Sequence, residues 1–131
     1  HRRPLPAIAL TANSSNLTAL GNDFGYDQIF EVQVQALAKP GDVVVAISTS
    51  GKSENVLRGI QAAKKQGCYV IGLTGGQGEP LSSSVDLCLS ASSGKNSSRI
   101  QETHIFIIHS MVDLMDRFFL QESRMQPKLE L

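Results

Sequence analysis

The stretch Val43-Val44-Val45-Ala46-Ile47-Ser48-Thr49-Ser50-Gly51-Lys52-Ser53 constrains this chain more than any other. Five apolar residues without a polar interruption read as a strand buried on both faces, of the kind that builds a parallel sheet. From Ser53 onward Val56, Leu57, Ile60 and Ala63 recur at helical spacing, and Lys64, Lys65 and then Gly67 mark a carboxyl end. Between strand and helix lie four hydroxyl side chains, one glycine and one lysine. A strand-loop-helix junction directs free backbone N–H groups and the positive end of the helix dipole into the loop. A phosphate placed there would be held from several sides.

Two phosphate readings compete. Ala46 through Ser53 misses the nucleotide-binding P-loop pattern at one position, because Ala46 stands where the first glycine belongs. Without that glycine the strand runs on to Ile47 and leaves only a short Ser/Thr loop. No later apolar strand ends in an Asp suited to Mg²⁺, which counts against a nucleotide hydrolase. The plainer alternative is that Ser50 and Ser53 only cap the helix. Capping needs one hydroxyl, and this loop offers four.

At 131 residues and 41% hydrophobic, the chain has the size of one domain with a real core. Its 12 basic and 12 acidic side chains balance, which gives no electrostatic case for nucleic acid or an anionic membrane surface. No apolar run reaches membrane-spanning length. The opening His1-Arg2-Arg3-Pro4-Leu5-Pro6 mimics part of a signal peptide, but it is short, broken by two prolines and lacks an initiating Met. Cys68 and Cys88 read as free, buried thiols of a cytoplasmic protein.

In chain order, Pro6 to Leu10 is a candidate first strand and Thr11 to Asn22 a loop or short helix. Tyr26 to Ala38 fits both periodicities. Its Glu, Gln, Ala and Leu content and the need for a crossover between parallel strands favour a helix. Tyr69 to Leu73 and Val85 to Leu89 read as two further strands, separated by the loop Thr74 to Pro80 and one helical turn at 81–84. Ser90 to Ser98 is a serine-rich loop. Ile100 to about Leu120 is the longest helix, so broadly apolar that it implies a second packing partner and hence an oligomer. Residues 121–131 read as a flexible tail. The order describes an open α/β sheet, and ligands of such sheets bind at the carboxyl ends of the strands, where the Ser48 loop lies.

Ile47-Ser48-Thr49-Ser50-Gly51-Lys52-Ser53, together with Arg99-Ile100-Gln101-Glu102-Thr103-His104 and His109, resembles the sugar isomerase (SIS) domain family, and within it the phosphoheptose isomerases. The likeness runs from about Leu5 to about Phe119. It implies a three-layer αβα sandwich with a parallel sheet, flavodoxin- or Rossmann-like, in a single SIS domain. The implied activity is aldose–ketose isomerisation of sedoheptulose 7-phosphate to D-glycero-D-manno-heptose 7-phosphate, a precursor for lipopolysaccharide, in a cytoplasmic homotetramer. By the same resemblance Ser48, Thr49, Ser50 and Ser53 hold the sugar phosphate, while Asn22 and Asp23 contact sugar hydroxyls. Gln101 and His109 bind substrate and a zinc ion, and His109 carries protons. Asn22 and Asp23 read equally well as a turn before Gly25. Lys52 departs from the asparagine common in that loop, adding a positive charge beside the anion.

Gln101 and His109 stand eight residues apart, roughly 12 Å of helix rise and about 80° of rotation. Both can border one cleft, although sharing one metal would require them to lean together. Glu102 and His109, seven apart, are closer in angle and could instead form a pair. His104, among isoleucines at helical spacing, reads as a packed histidine. The resemblance also implies an amino-terminal helical segment, a strand and a glycine-rich turn, with further zinc ligands (His and Glu) and a carboxylate base, ahead of His1. Their absence from these residues leads to the expectation that the chain is a fragment whose sheet has a gap between strands 6–10 and 43–48. An SIS module that binds a phosphosugar without turnover, or a replication-initiator-associating adaptor, is the rival reading from another class.

Overall fold

The structure is a computed structural model and describes residues 4–125. The elements in order are helix α1 (Ser14–Asp23), a 3₁₀ turn (Tyr26–Gln28), α2 (Ile29–Leu37), β1 (Val43–Ser48), α3 (Glu54–Lys65), β2 (Tyr69–Gly75), α4 (Leu81–Ser84), β3 (Leu87–Ala91) and α5 (Ser97–Met125). The three strands form one parallel sheet in the order β1-β2-β3, with Ser48 beside Thr74 and Thr74 beside Ser90. All three carboxyl ends therefore lie on the same edge.

The helices sort onto two faces through the alternation of strand side chains. Ala46 and Val70 join Val34, Ile60, Ala62, Ala63 and Leu81 in the core between the sheet and α2, α3 and α4. On this face a Cβ at Gly72 would meet the Leu81 side chain at 2.6 Å, so the glycine lets α4 sit directly on β2. The opposite face takes the start of α5, where Ile100 would lie 2.4 Å from a Cβ at Gly75. This is the parallel αβα arrangement expected. The helix expected over 26–38 forms as the 3₁₀ turn and α2, and Gln33 inside it is buried, donating to the carbonyls of Ile29 and Leu10.

Three features differ from the sequence reading. Residues 6–10 form no strand, so the expected gap has no second strand to bound it. Pro4 and Pro6 lack backbone donors, and among the described residues only β2 pairs with β1. Leu10 is still anchored, by packing on the core and by Gln33. Second, β1 is covered on one face only. Ala46 and Ser48 are buried, while Val43, Val45 and Ile47 on the other face are exposed at 58%, 43% and 44%. The long helix α5 packs on β2 and β3 instead. Third, α5 continues through Gln121–Met125, where the sequence reads as tail; 126–131 lie outside the described residues.

No helix among the described residues is long and apolar enough to cross a membrane. Cys68 and Cys88 are free; Cys68 is buried as expected, whereas Cys88 is only half-buried, and desolvation raises both thiols above their usual range.

Candidate functional site

The loop after β1 turns at once. The Gly51 amide donates to both the carbonyl (3.1 Å) and the hydroxyl (3.2 Å) of Ser48, and Gly51 takes φ +70°, a left-handed value that suits glycine. Ser53 stands at the N-cap position of α3 with an extended backbone, yet its side chain makes no capping hydrogen bond. It lies instead 2.9 Å from the Ser48 hydroxyl, and Ser50 lies 3.5 Å from Ser48. Three of the four loop hydroxyls thus converge on one point above the helix amino terminus, and simple capping by Ser53 is excluded. The first turn of α3 adds N–H groups without helical partners. Two loop carbonyls are turned to other work: Thr49 accepts from the Gly75 amide (3.1 Å) and Gly51 from the Leu81 amide (3.2 Å). Those contacts occupy oxygens that would repel an anion; of the loop amides, Gly51 is engaged by Ser48 and Lys52 donates to the Ser50 hydroxyl at 3.2 Å.

A cleft of about 490 Å³ opens beside this loop. Thr49, Ser50 and Lys52 form one wall, Gly75 to Glu79 the other, and Gly94 and Ile100 close the end. The second wall is held against the first with no room to spare, since a Cβ on Gly51 would lie 2.0 Å from the Gly78 carbonyl oxygen. Opposite charges face the opening. Lys52 is exposed, and Glu79 is held below the usual carboxylate range chiefly by the hydrogen bond from the Ser83 hydroxyl at 2.6 Å.

Of the predicted phosphate-loop residues Thr49 and Ser50 line the cleft, whereas Ser48 and Ser53 lie behind them and do not, and the other candidate site residues lie outside its lining. Gln101 follows Ile100 on α5, is exposed and does not itself line the cleft. His109 is exposed two turns farther along α5 and does not line the cleft. Glu102 pairs with Arg99 (2.7 Å) rather than with His109. Asn22 and Asp23 close α1, where the Asn22 amide donates to the Asp23 carboxylate at 2.8 Å; neither lines the cleft. His104 is a packed histidine, 3% exposed, with Nε2 3.0 Å from the Thr74 carbonyl. Sequence reasoning missed the Gly75–Glu79 wall. Three glycines in five residues were a signal for close backbone approach, but not for which segment approaches.

Zinc needs three or four nitrogen, sulfur or oxygen ligands held together. Among the described residues no three His, Cys, Asp or Glu side chains form such a group. Gln101 and His109 alone do not fit a zinc site.

Comparison with known proteins places this geometry. The SIS domain family profile matches residues 1–75. The chain is 51% identical to phosphoheptose isomerase of Campylobacter concisus over 118 residues, covering 90% of this chain and 62% of that protein. It is 52% identical to the probable phosphoheptose isomerase of Thermoplasma acidophilum, covering 90% and 64%. Among solved structures, phosphoheptose isomerase from Francisella tularensis superposes with a TM-score of 0.84 at 42% identity, over 88% of this chain and 62% of that one. The enzyme from Neisseria gonorrhoeae gives 0.79 at 44%, over 82% and 60%. The chain therefore spans somewhat under two thirds of the length of these relatives. With a parallel sheet, a hydroxyl-lined loop at its carboxyl edge and a profile match over more than half its residues, this chain belongs to the SIS domain family.

Proposed function

We propose that this chain is the phosphosugar-binding part of a phosphoheptose isomerase, which converts sedoheptulose 7-phosphate to D-glycero-D-manno-heptose 7-phosphate on the way to lipopolysaccharide. The observation that carries the reading is the Ser53 hydroxyl, released from capping and paired with Ser48 at 2.9 Å above the start of α3. Names of the relatives supply the substrate class, and the loop supplies the place for its phosphate.

In this reading the phosphate sits on Ser48, Thr49, Ser50 and Ser53, and the sugar extends along the cleft toward Gln101. Asn22 and Asp23 meet its hydroxyls after approach from outside the cleft. Isomerisation moves a proton between adjacent carbons through an enediol, which requires an acid and a base on either side and a donor for the developing oxyanion. His109 takes one proton-transfer role, a task histidine performs near neutral pH. Glu79 lines the cleft but is a poor base, because the Ser83 hydroxyl stabilises its anion. The second proton carrier and a complete zinc set, if zinc serves, come from groups beyond those lining this cleft. The uncovered apolar faces of β1 and α5 fit a homo-oligomer, a tetramer by family likeness. Free Cys68 and Cys88 fit the cytoplasm.

The test is paired. Calorimetric titration with sedoheptulose 7-phosphate reads binding, and an isomerase assay beside a chain as long as the relatives reads turnover. Binding lost in Ser48→Ala with Ser53→Ala supports the reading; strong turnover by the 131-residue chain contradicts the assignment of the second proton carrier elsewhere. The exposed position of His109, away from the cleft, favours one second reading: a module that binds phosphosugar without converting it, or an adaptor for a replication initiator. Capture of an initiator protein with no turnover by the longer chain would select it.

A further inference from the structure

His104 is buried at 3% exposure, yet only one of its ring nitrogens has a partner. Nε2 lies 3.0 Å from the Thr74 carbonyl, and since a carbonyl only accepts, Nε2 carries the proton. Nδ1 is then a buried acceptor without a donor. An imidazole held in this way costs the core more than a leucine or phenylalanine would, because an unpaired buried polar atom forfeits its hydration. Stability alone does not account for a histidine here.

The bond it makes lies at a junction. The Thr74 carbonyl and the Gly75 N–H belong to one planar peptide unit. Its oxygen accepts from His104 on α5, and its N–H donates to the Thr49 carbonyl in the loop after β1 at 3.1 Å. A single rigid plate thus connects the long helix to the hydroxyl loop. Beside it, Ile100 fills the space that a Cβ on Gly75 or Gly94 would occupy, at 2.4 and 2.5 Å. Gln101 stands between Ile100 and His104, so the residues that seat α5 also flank it.

We propose that His104 is a positioning residue that, through the Thr74–Gly75 peptide, sets the Ser48–Ser53 loop and the Gln101 segment of α5 in register with each other. For ligand binding this rests on the phosphosugar reading above; for the clamp itself it does not. His104→Gln keeps a donor at the reach of Nε2, whereas His104→Leu removes it.

The experiment measures Gly75 amide hydrogen exchange, sedoheptulose 7-phosphate affinity and thermal unfolding in the full chain and both variants. Losing a hydrogen bond of ordinary strength, about 1 kcal/mol, is worth about fivefold. His104→Leu is expected to speed Gly75 exchange and weaken affinity by about that factor each, and His104→Gln to restore both toward the parent values. Equal exchange rates in all three proteins, or equal losses in both variants, overturn the proposal and leave His104 a packing residue. If His104→Leu does not fold, nitrogen NMR of the unaltered protein decides: a proton on Nε2 supports the clamp and one on Nδ1 contradicts it. A parent chain that binds no sedoheptulose 7-phosphate sinks the phosphosugar reading, while Gly75 exchange still judges the clamp.

Discussion

Gly51 and Gly78 are pressed together so closely that a methyl group on the first would lie 2.0 Å from the carbonyl oxygen of the second. Both adopt positive φ, +70° and +65°. The contact sets the hydroxyl loop against the Gly75–Glu79 wall. Gly51→Ala therefore combines backbone strain with a backbone clash. It is expected to cost about 1–3 kcal/mol of stability and to weaken sedoheptulose 7-phosphate binding roughly tenfold or more, about 1.4 kcal/mol. Thermal unfolding and calorimetry on the same preparation check both.

Ser53→Ala separates binding from capping. A lost N-cap hydroxyl costs about 1 kcal/mol, but Ser53 makes no cap bond. Its removal is expected to change stability by under about 0.5 kcal/mol and to lower phosphosugar affinity about fivefold. A stability loss as large as a missing cap, with affinity unchanged, would assign Ser53 to the helix instead.

Glu79 places an anion on the wall facing Lys52, where it repels a phosphate. Glu79→Gln is expected to tighten phosphate-ester binding about two- to threefold at low salt, with the gain shrinking as salt screens the exposed charge. Titrations at two ionic strengths measure it. Weaker binding in the variant would instead make Glu79 a partner of the sugar hydroxyls.

Asp86 links α3 to the sheet, taking a proton donor from Lys64 and the Val70 amide at 2.7 Å. These bonds hold its carboxyl below the usual range, the Lys64 hydrogen bond most of all. With the folded value depressed, the folded state binds fewer protons than the unfolded one. The stability is full above the ordinary Asp value, about 3.9, and is lost as pH falls through the folded value. Asp86→Asn is expected to lower stability at pH 7 and flatten its decline below about pH 4. Denaturant titrations across that range would show it.

The sequence carried the hydroxyl-rich strand-to-helix loop because four hydroxyls in six residues exceed what a helix start requires, and the structure shows the Ser53 hydroxyl paired with Ser48 rather than capping. It carried the later strands because their apolar runs are bounded by glycine and polar residues. It misread 6–10 for a reason intrinsic to strands: an apolar run records a preference for extended backbone but not whether a neighbour exists to pair with it. Val43 to Ile47 misled similarly, since apolar side chains on both faces do not say what covers each. The Thr74–His104 contact joins residues thirty positions apart and no periodicity encodes it. Nor could spacing on α5 reveal that His109 lies outside the cleft that Ile100 closes.

Ile105, Phe106, Val112, Leu114, Met115 and Phe118 leave α5 with exposed apolar side chains around much of its circumference, Phe106 at 71%. A homo-oligomer would cover them. Sedimentation is expected to give a mass above that of one chain, falling when Phe106 and Phe118 are both replaced by serine; a monomer in the unaltered protein would contradict the assembly.

Amide NMR of the chain titrated with sedoheptulose 7-phosphate bears most directly on whether a sugar phosphate occupies the junction of β1 and α3. Saturable shifts at Ser50, Gly51, Lys52 and Ser53, absent with an adenine nucleotide, are the expected result. No shift at those amides at high ligand concentration, or the same shifts with the nucleotide alone, would contradict it.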